Sequence, residues 1–232
     1  MKEVTIILVG IFICTSSILS QTLQNSEAGN QNIVALDGNG TNLVQGFDAR
    51  YEGVKGSPYY KQDWVKGSVY LANEKFHGVP LKYNVHENII LAKSLGKVIS
   101  LHLNKVDSFD IGQGASLVRF IKVSSEAQYD FMEKIFSNQE IMILRQHKKK
   151  FIKANYQGAF AGGNKYDEFK NNYRHYYHYE GSLKEYKNNG KGISEIPNTP
   201  GKKEISAIIK EDNINFDSVG DLRRFFEKVF SS

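Results

Sequence analysis

The chain has 232 residues, 24% of them charged, a formal net charge of +5 and one cysteine, Cys14. That length suits one domain with a core of its own, and a lone cysteine excludes an internal disulfide framework. After the first twenty residues, no apolar run approaches the ~20 needed for a helical membrane span.

Residues 1–20 read as a cleavable secretory signal, with Lys2 in a short charged start, an apolar run from Val4 to Cys14, and a small-residue exit ending at Ser20. Cleavage there leaves a thiol-free chain that keeps its net charge, because Lys2 and Glu3 cancel. A lipoprotein would be acylated at Cys14, but Ile13 stands where a small residue is wanted and the cysteine comes early. The expected destination is therefore the periplasm or the exterior. Residues 21–50, rich in Asn, Gln and Gly, read as a flexible leader with too few apolar groups to offset ordering.

From Trp64 the texture becomes short β-branched and aromatic runs between Gly, Asn and Lys turns, the pattern of consecutive strands. Ser68–Leu71 and Val79–Val85 predict a hairpin about Asn73-Glu74-Lys75. Asn88–Ala92, Val98–Leu103, Val106–Ile111 and Leu117–Val123 continue the series. Ile99, Leu101 and Leu103 alternate with polar residues, as a half-buried strand requires. Ser125–Phe136 fits a strand from Tyr129 or a capped helix with Tyr129, Met132, Glu133 and Phe136 on one face. Glu140–His147 and the aromatic row Tyr173–Tyr179 predict further strands.

The period changes after residue 199. Thr199 and Pro200 have the order of a cap and a first helical residue, followed by Ile205, Ile208 and Ile209. Ser218 with Asp221 makes a capping pattern ahead of a stripe of Leu222, Phe225, Phe226, Val229 and Phe230. The expected fold is mainly β (α+β): a single-domain antiparallel or mixed roll or sandwich over residues 51–198, with about seven to ten strands. Two short helices over 199–232 pack on it.

Several segments carry a resemblance: Gly56-Ser57-Pro58-Tyr59, Gly67-Ser68-Val69-Tyr70-Leu71, Val79-Pro80-Leu81-Lys82-Tyr83-Asn84, Val106-Asp107-Ser108-Phe109 and Lys202-Lys203-Glu204-Ile205. Over most of residues 50–232 the chain resembles a group of uncharacterised exported proteins common in Bacteroidetes. The resemblance implies export and a β-rich body and assigns no activity.

Charge is unevenly spread. Between Arg145 and Lys191 there are eleven Lys or Arg against four acids, a surplus of seven, which leaves the remainder of the chain at −2. Ten aromatic residues interleave with these cations from Phe151 to Tyr186. Such mixtures suit anionic or sugar polymers, cations meeting phosphate or carboxylate while rings stack; the structural alternative is a sheet with half-buried tyrosines and a solvated lysine rim. The candidate ligand-binding residues are Arg145, Lys148, Lys150, Arg174, Tyr176 and Tyr177, and the expected function is a non-catalytic envelope or secreted module for an anionic polymer, glycan or lipid head group. Nucleic acid is disfavoured as a partner because the chain is exported. Lys148-Lys149-Lys150 also reads as a charged guard beside a strand end. The alternative function is an assembly protein whose terminal stripe of Phe225, Phe226, Val229 and Phe230 docks on a partner.

Enzymatic signals are weak. Gly-x-Ser-x-Gly is absent, Gly38-x-Gly40 and Gly112-x-Gly114 lack the third glycine of a dinucleotide loop, and no Walker pattern occurs, so no cofactor is implied. Asp107 with Asp110, and Asp167 with Glu168, are close acidic pairs better suited to turns than to opposite sides of a scissile bond. A hydrolase would require a concave pocket with several perturbed polar groups. His175 and His178 fall on opposite faces of a strand and cannot share a metal. Asp37, Asn39, Thr41 and Asp48 only echo a calcium loop, since Asn42 replaces the turn glycine. Asn39-Gly40-Thr41 matches a glycosylation sequon.

Overall fold

The computed structural model describes residues 51–71, 74–94, 97–124, 129–156 and 164–231. The signal segment, the 21–50 leader with its calcium-like spacing and sequon, and the Ser125 start of the alternative helix lie outside the described residues.

The described residues are mainly β and form one antiparallel sheet. Its strands are β1 (Val65–Leu71), β2 (Glu74–Asn84), β3 (Ile89–Ser94), β4 (Lys97–Ser100), β5 (Ser108–Ile111), β6 (Val118–Ser124), β7 (Tyr129–Ser137), β8 (Ile141–Ile152), β9 (Glu168–Tyr179) and β10 (Ser182–Tyr186). The spatial order is β10-β9-β8-β7-β6-β5-β1-β2-β3-β4. Two meanders, β1 to β4 and β5 to β10, are thus joined through the β1–β5 ladder. The β1–β2 register shifts between Gly67 and Ser68, and on its other side Gly67 pairs with Ile111 at this seam. A Cβ there would lie 2.0 Å from the Asp110 carbonyl oxygen, so the close approach needs glycine.

The ambiguous stretch ending at Phe136 is strand β7. Phe131 and Glu133 point inward at period two, and the strand pairs with β6 over Tyr129–Glu133 and with β8 over Glu133–Ser137, where the register shifts at Ile135. Lys148-Lys149-Lys150 lies inside β8, which continues to Ile152 paired with β9 along all twelve residues. The lysines therefore do not guard a terminus. The edges are instead short, five residues in β10 and four in β4.

The sheet is rolled. From β2 to β8 there are five strand steps, which on a flat sheet span roughly 24 Å at ~4.8 Å per step. Yet the His86 ring, just past β2, donates from Nδ1 to the Lys149 carbonyl of β8 at 3.0 Å. A strap ahead of β1 closes the gap: Lys55 bridges Glu168 and Tyr59 bridges Asn84. Tyr60 stands edge-on to both Phe120 and His147, each at 5.0 Å between ring centroids. The strap lies in the 51–63 stretch, between the leader and the first predicted strand, where the sequence pattern predicts no element.

One cross-strand row crosses eight strands on the inner face: Phe76, Val69, Phe109, Phe120, Glu133, Arg145, His175 and Tyr186 stand directly opposite one another in succession. Its first half is apolar and belongs to a core with Val79, Leu81, Tyr83, Ile90 and Phe131. Its second half is polar.

Beyond the polar half, the inner face is covered by α1 (Gly190–Ile193), α2 (Lys202–Glu211) and α3 (Val219–Phe230). Leu222, Phe225, Phe226 and Val229 recur at helical spacing and are all buried with Ile135, Ile141 and Ile143. Each such side chain contributes about 1.5–3 kcal/mol by leaving water. The Ser218 hydroxyl accepts from the Asp221 backbone N–H, the expected cap. At α2 the cap differs. Gly201 precedes the first helical residue, Lys202, and the Thr199 hydroxyl instead donates to the Ile196 carbonyl at 2.8 Å, closing the turn after α1.

Candidate functional site

The β8–β9 ladder sorts the basic, aromatic segment by parity. Residues directly opposite share a face and neighbours alternate. Arg145, His147, Lys149 and Phe151, with Phe169, Tyr173, His175 and Tyr177, point inward. Gln146, Lys148 and Lys150, with Lys170, Asn172, Arg174, Tyr176 and His178, point outward. Of the six candidate residues, four therefore share the outer face, namely Lys148, Lys150, Arg174 and Tyr176. Arg145 and Tyr177 lie on the other. His175 and His178 are on opposite faces, as period two demands.

On the outer face, Lys150 stands directly across from Lys170, Lys148 is the next same-face residue of β8 opposite Asn172, and Arg174 follows Asn172 on β9 opposite Gln146. Directly opposed side chains sit ~5 Å apart at Cβ, so a like-charge pair there opposes folding. The neighbouring acids do little to neutralise it. Lys148 is 3.8 Å from Asp130, Lys170 3.7 Å from Glu168 and Arg174 3.9 Å from Glu185, all near the limit of an ion pair and in solvent. Lys150 has no ion-pair partner among the described residues. The Tyr176 hydroxyl and then Glu185 raise the pKa of Arg174. Lys170 belongs to the array although sequence pattern did not single it out; it becomes visible only once the hairpin register is known.

On the inner face the polar half of the row forms a buried cluster. Glu133 is fully buried, and its Oε2 accepts from Arg145 Nη2 at 2.7 Å, Arg145 Nε at 3.0 Å and His147 Nε2 at 2.8 Å. Arg223 of α3 approaches Oε1 to 3.5 Å. The Arg145 guanidinium also covers the Tyr173 ring at 4.9 Å. Burial alone would raise the Glu133 carboxyl, but the His147 hydrogen bond and the Arg145 charge more than offset this and hold it below its ordinary pKa. Burial lowers the pKa of His147 in spite of Glu133. The ring is therefore a neutral donor to an ionised carboxylate. Burial, then Arg145 and His147, pushes His175 down to about 4, while burial and Glu133 push Tyr60 up to about 12. Tyr177 belongs to the helical side, packed with Tyr186 and the second core.

No family model, curated protein or solved structure matches the chain.

A second clamp lies on the outer face. Asp110 accepts from Arg119 Nε at 2.7 Å, Arg119 Nη2 at 2.8 Å and the Tyr70 hydroxyl at 2.8 Å. It sits within β5, so it is neither a turn residue nor free for acid–base work. Glu133 is the residue sequence reasoning missed. The available signal was a charged side chain in the inward phase between Phe131 and Ile135, where a carboxylate requires buried partners. The terminal stripe offers no docking surface, since Phe225, Phe226 and Val229 are buried in the chain's own core.

Proposed function

We propose that this chain is an exported, non-catalytic binding module that holds an extended polyanion on the outer face of the β8–β9 arm. The observation that carries the reading is the directly opposed Lys150–Lys170 pair, with Lys148 next along β8 and Arg174 two same-face positions along β9, beyond Asn172. Four exposed cations in two columns, beside Tyr176, cost the fold repulsion that an anionic chain relieves. Successive same-face positions are ~6.7 Å apart along each strand, so a polymer bearing repeated sulfate, phosphate or carboxylate groups can meet several at once. Export is supported by the signal-like first twenty residues.

Binding of the purified protein to dextran sulfate, with neutral dextran as control, tests this across a salt series. Affinity should fall steeply with salt as counterions are released. The pair K150Q and K170Q should weaken binding and reduce the slope of log K against log salt by ~0.7 per lost contact. Affinity that is unchanged from low to high salt, or a double variant that binds like the parent, overturns the reading.

A further inference from the structure

The polar half of the inner row is also the seam between the sheet and its helical cover, and that seam is overloaded with positive charge. Glu133 is the one carboxylate at its centre. Around it stand Arg145, His147 and Lys149 from β8, Tyr173 and His175 from β9, Tyr186 from β10, Arg223 from α3 and Tyr60 from the strap, with Asp217 of the α2–α3 connection near His175. With both imidazoles neutral, two guanidiniums already face one carboxylate.

We propose that this seam is an acid-released latch: proton uptake by His147 and His175 drives α3 off the sheet and uncovers the apolar inner face at Ile135, Ile141 and Ile143, while the β1–β6 core stays folded. The geometry favours release at this place. His147 donates to Glu133 through Nε2, and a second ring proton adds a cation within a nest of arginines. His175 Nε2 has no hydrogen-bond partner among the described residues, nor does the Tyr186 hydroxyl beside it or Arg223 Nε above it. A proton on His175 Nε2 meets no acceptor within hydrogen-bond reach in the closed form, although Glu133 Oε1 is also without a hydrogen bond among the described residues, and it gains water in the open form. The only cross-seam ion pair that holds α3 among the described residues, Arg223 with Glu133, weakens as those new charges compete for the same carboxylate. The apolar half of the row contains no titratable group of its own, and His147 touches it only at Phe120, 5.6 Å between ring centroids.

Hydrogen exchange followed by mass spectrometry on the full chain from pH 7.5 to 4.5, corrected for the intrinsic pH dependence of exchange, tests the latch. The expected result is that α2, α3 and β8 lose protection by about tenfold per pH unit for each proton taken up. The β1, β2, β5 and β6 amides should hold theirs, and an apolar dye should bind in step with the loss. H175F should retain the cover to lower pH, because a ring of similar size fills the site without titrating. H147Q, which keeps a donor to Glu133, should act in the same direction. Loss of protection in both halves at one common pH overturns the proposal, as does unchanged protection over α3 throughout the range. So does a cover in both variants that opens at the parental pH.

Discussion

On the inner face of the β8–β9 arm, Arg145 is 7% exposed and locked to Glu133 beneath α3. On the alternate residues of the same two strands, Lys148, Lys150, Lys170 and Arg174 stand outside the sheet with only distant acids beside them. Both sets come from the same basic, aromatic stretch of sequence, and composition does not separate them. Parity does. A strand carries two independent chemical texts on alternate residues, and here one specifies a latch within the fold while the other offers charge to a partner.

The largest expected effect tests the covered side. Phe226 is fully buried between Tyr186, Phe225 and Phe230. F226A should cost about 3–5 kcal/mol in a denaturant titration, the usual range for emptying an aromatic core position. A loss under 1 kcal/mol would mean that the helices contribute little to holding the inner face.

Removing the charge partner should cost nearly as much. R145A leaves Glu133 fully buried with His147 and the more distant Arg223, and deleting one member of a buried pair typically costs about 3–5 kcal/mol. The double variant E133Q/R145M should recover much of that loss, because it removes the uncompensated charge rather than adding contacts. If the double variant is no more stable than R145A, the two residues are not coupled as described.

The inner face should also give the fold a slope between pH 6.5 and 4, above the range in which the lowered Asp110 carboxyl of the outer face adds its own. His175 is held at about 4 from an ordinary 6.5, so its contribution is complete above pH 6.5 and disappears as pH falls toward 4. Discounted for the solvent screening of a half-buried ring, the effect is ~2 kcal/mol. Glu133, whose pKa is lowered, adds a further loss as pH drops below its unfolded value of 4.5. Denaturant midpoints measured at pH 7.5, 5.5 and 4.5 should decline in that order, and H175F should flatten the upper part of the curve. A flat profile in the parent protein would remove the role given to the row.

Much of this architecture was legible beforehand for a local reason. Strand alternation and helical stripes are properties of a few neighbouring residues, so Val79–Asn84, Tyr173–Tyr179 and the Phe225–Phe230 stripe announce their own secondary structure, whereas the strand expected over Val98–Leu103 ends at Ser100. The rolled sheet and the row were not legible, because they depend on register between strands far apart in sequence. Phe120, Glu133, Arg145 and His175 become neighbours only when β6 to β9 pair with particular offsets, and no short window contains that information. The same limit explains the mixed candidate set. Arg145 and Tyr177 have the composition of a binding surface, and only the direction of the strand turns them inward.

The smallest effect on stability is the most discriminating for the outer face. K150E places a carboxylate directly opposite Lys170, replacing a repulsive cross-strand pair with an attractive one. Opposite-charge pairs at such positions contribute roughly 0.2–1 kcal/mol, so the variant should melt at or slightly above the parent's temperature. Its binding to dextran sulfate should nevertheless fall several-fold, since two units of charge are removed from the centre of the array. These opposite signs are the informative result. A lysine that served only the fold would, on replacement, either destabilise the arm or change nothing, and in neither case would a more stable protein bind a polyanion less well. If K150E loses stability and binding together, the lysine supports the arm, and the outer face is a solvated rim like any other.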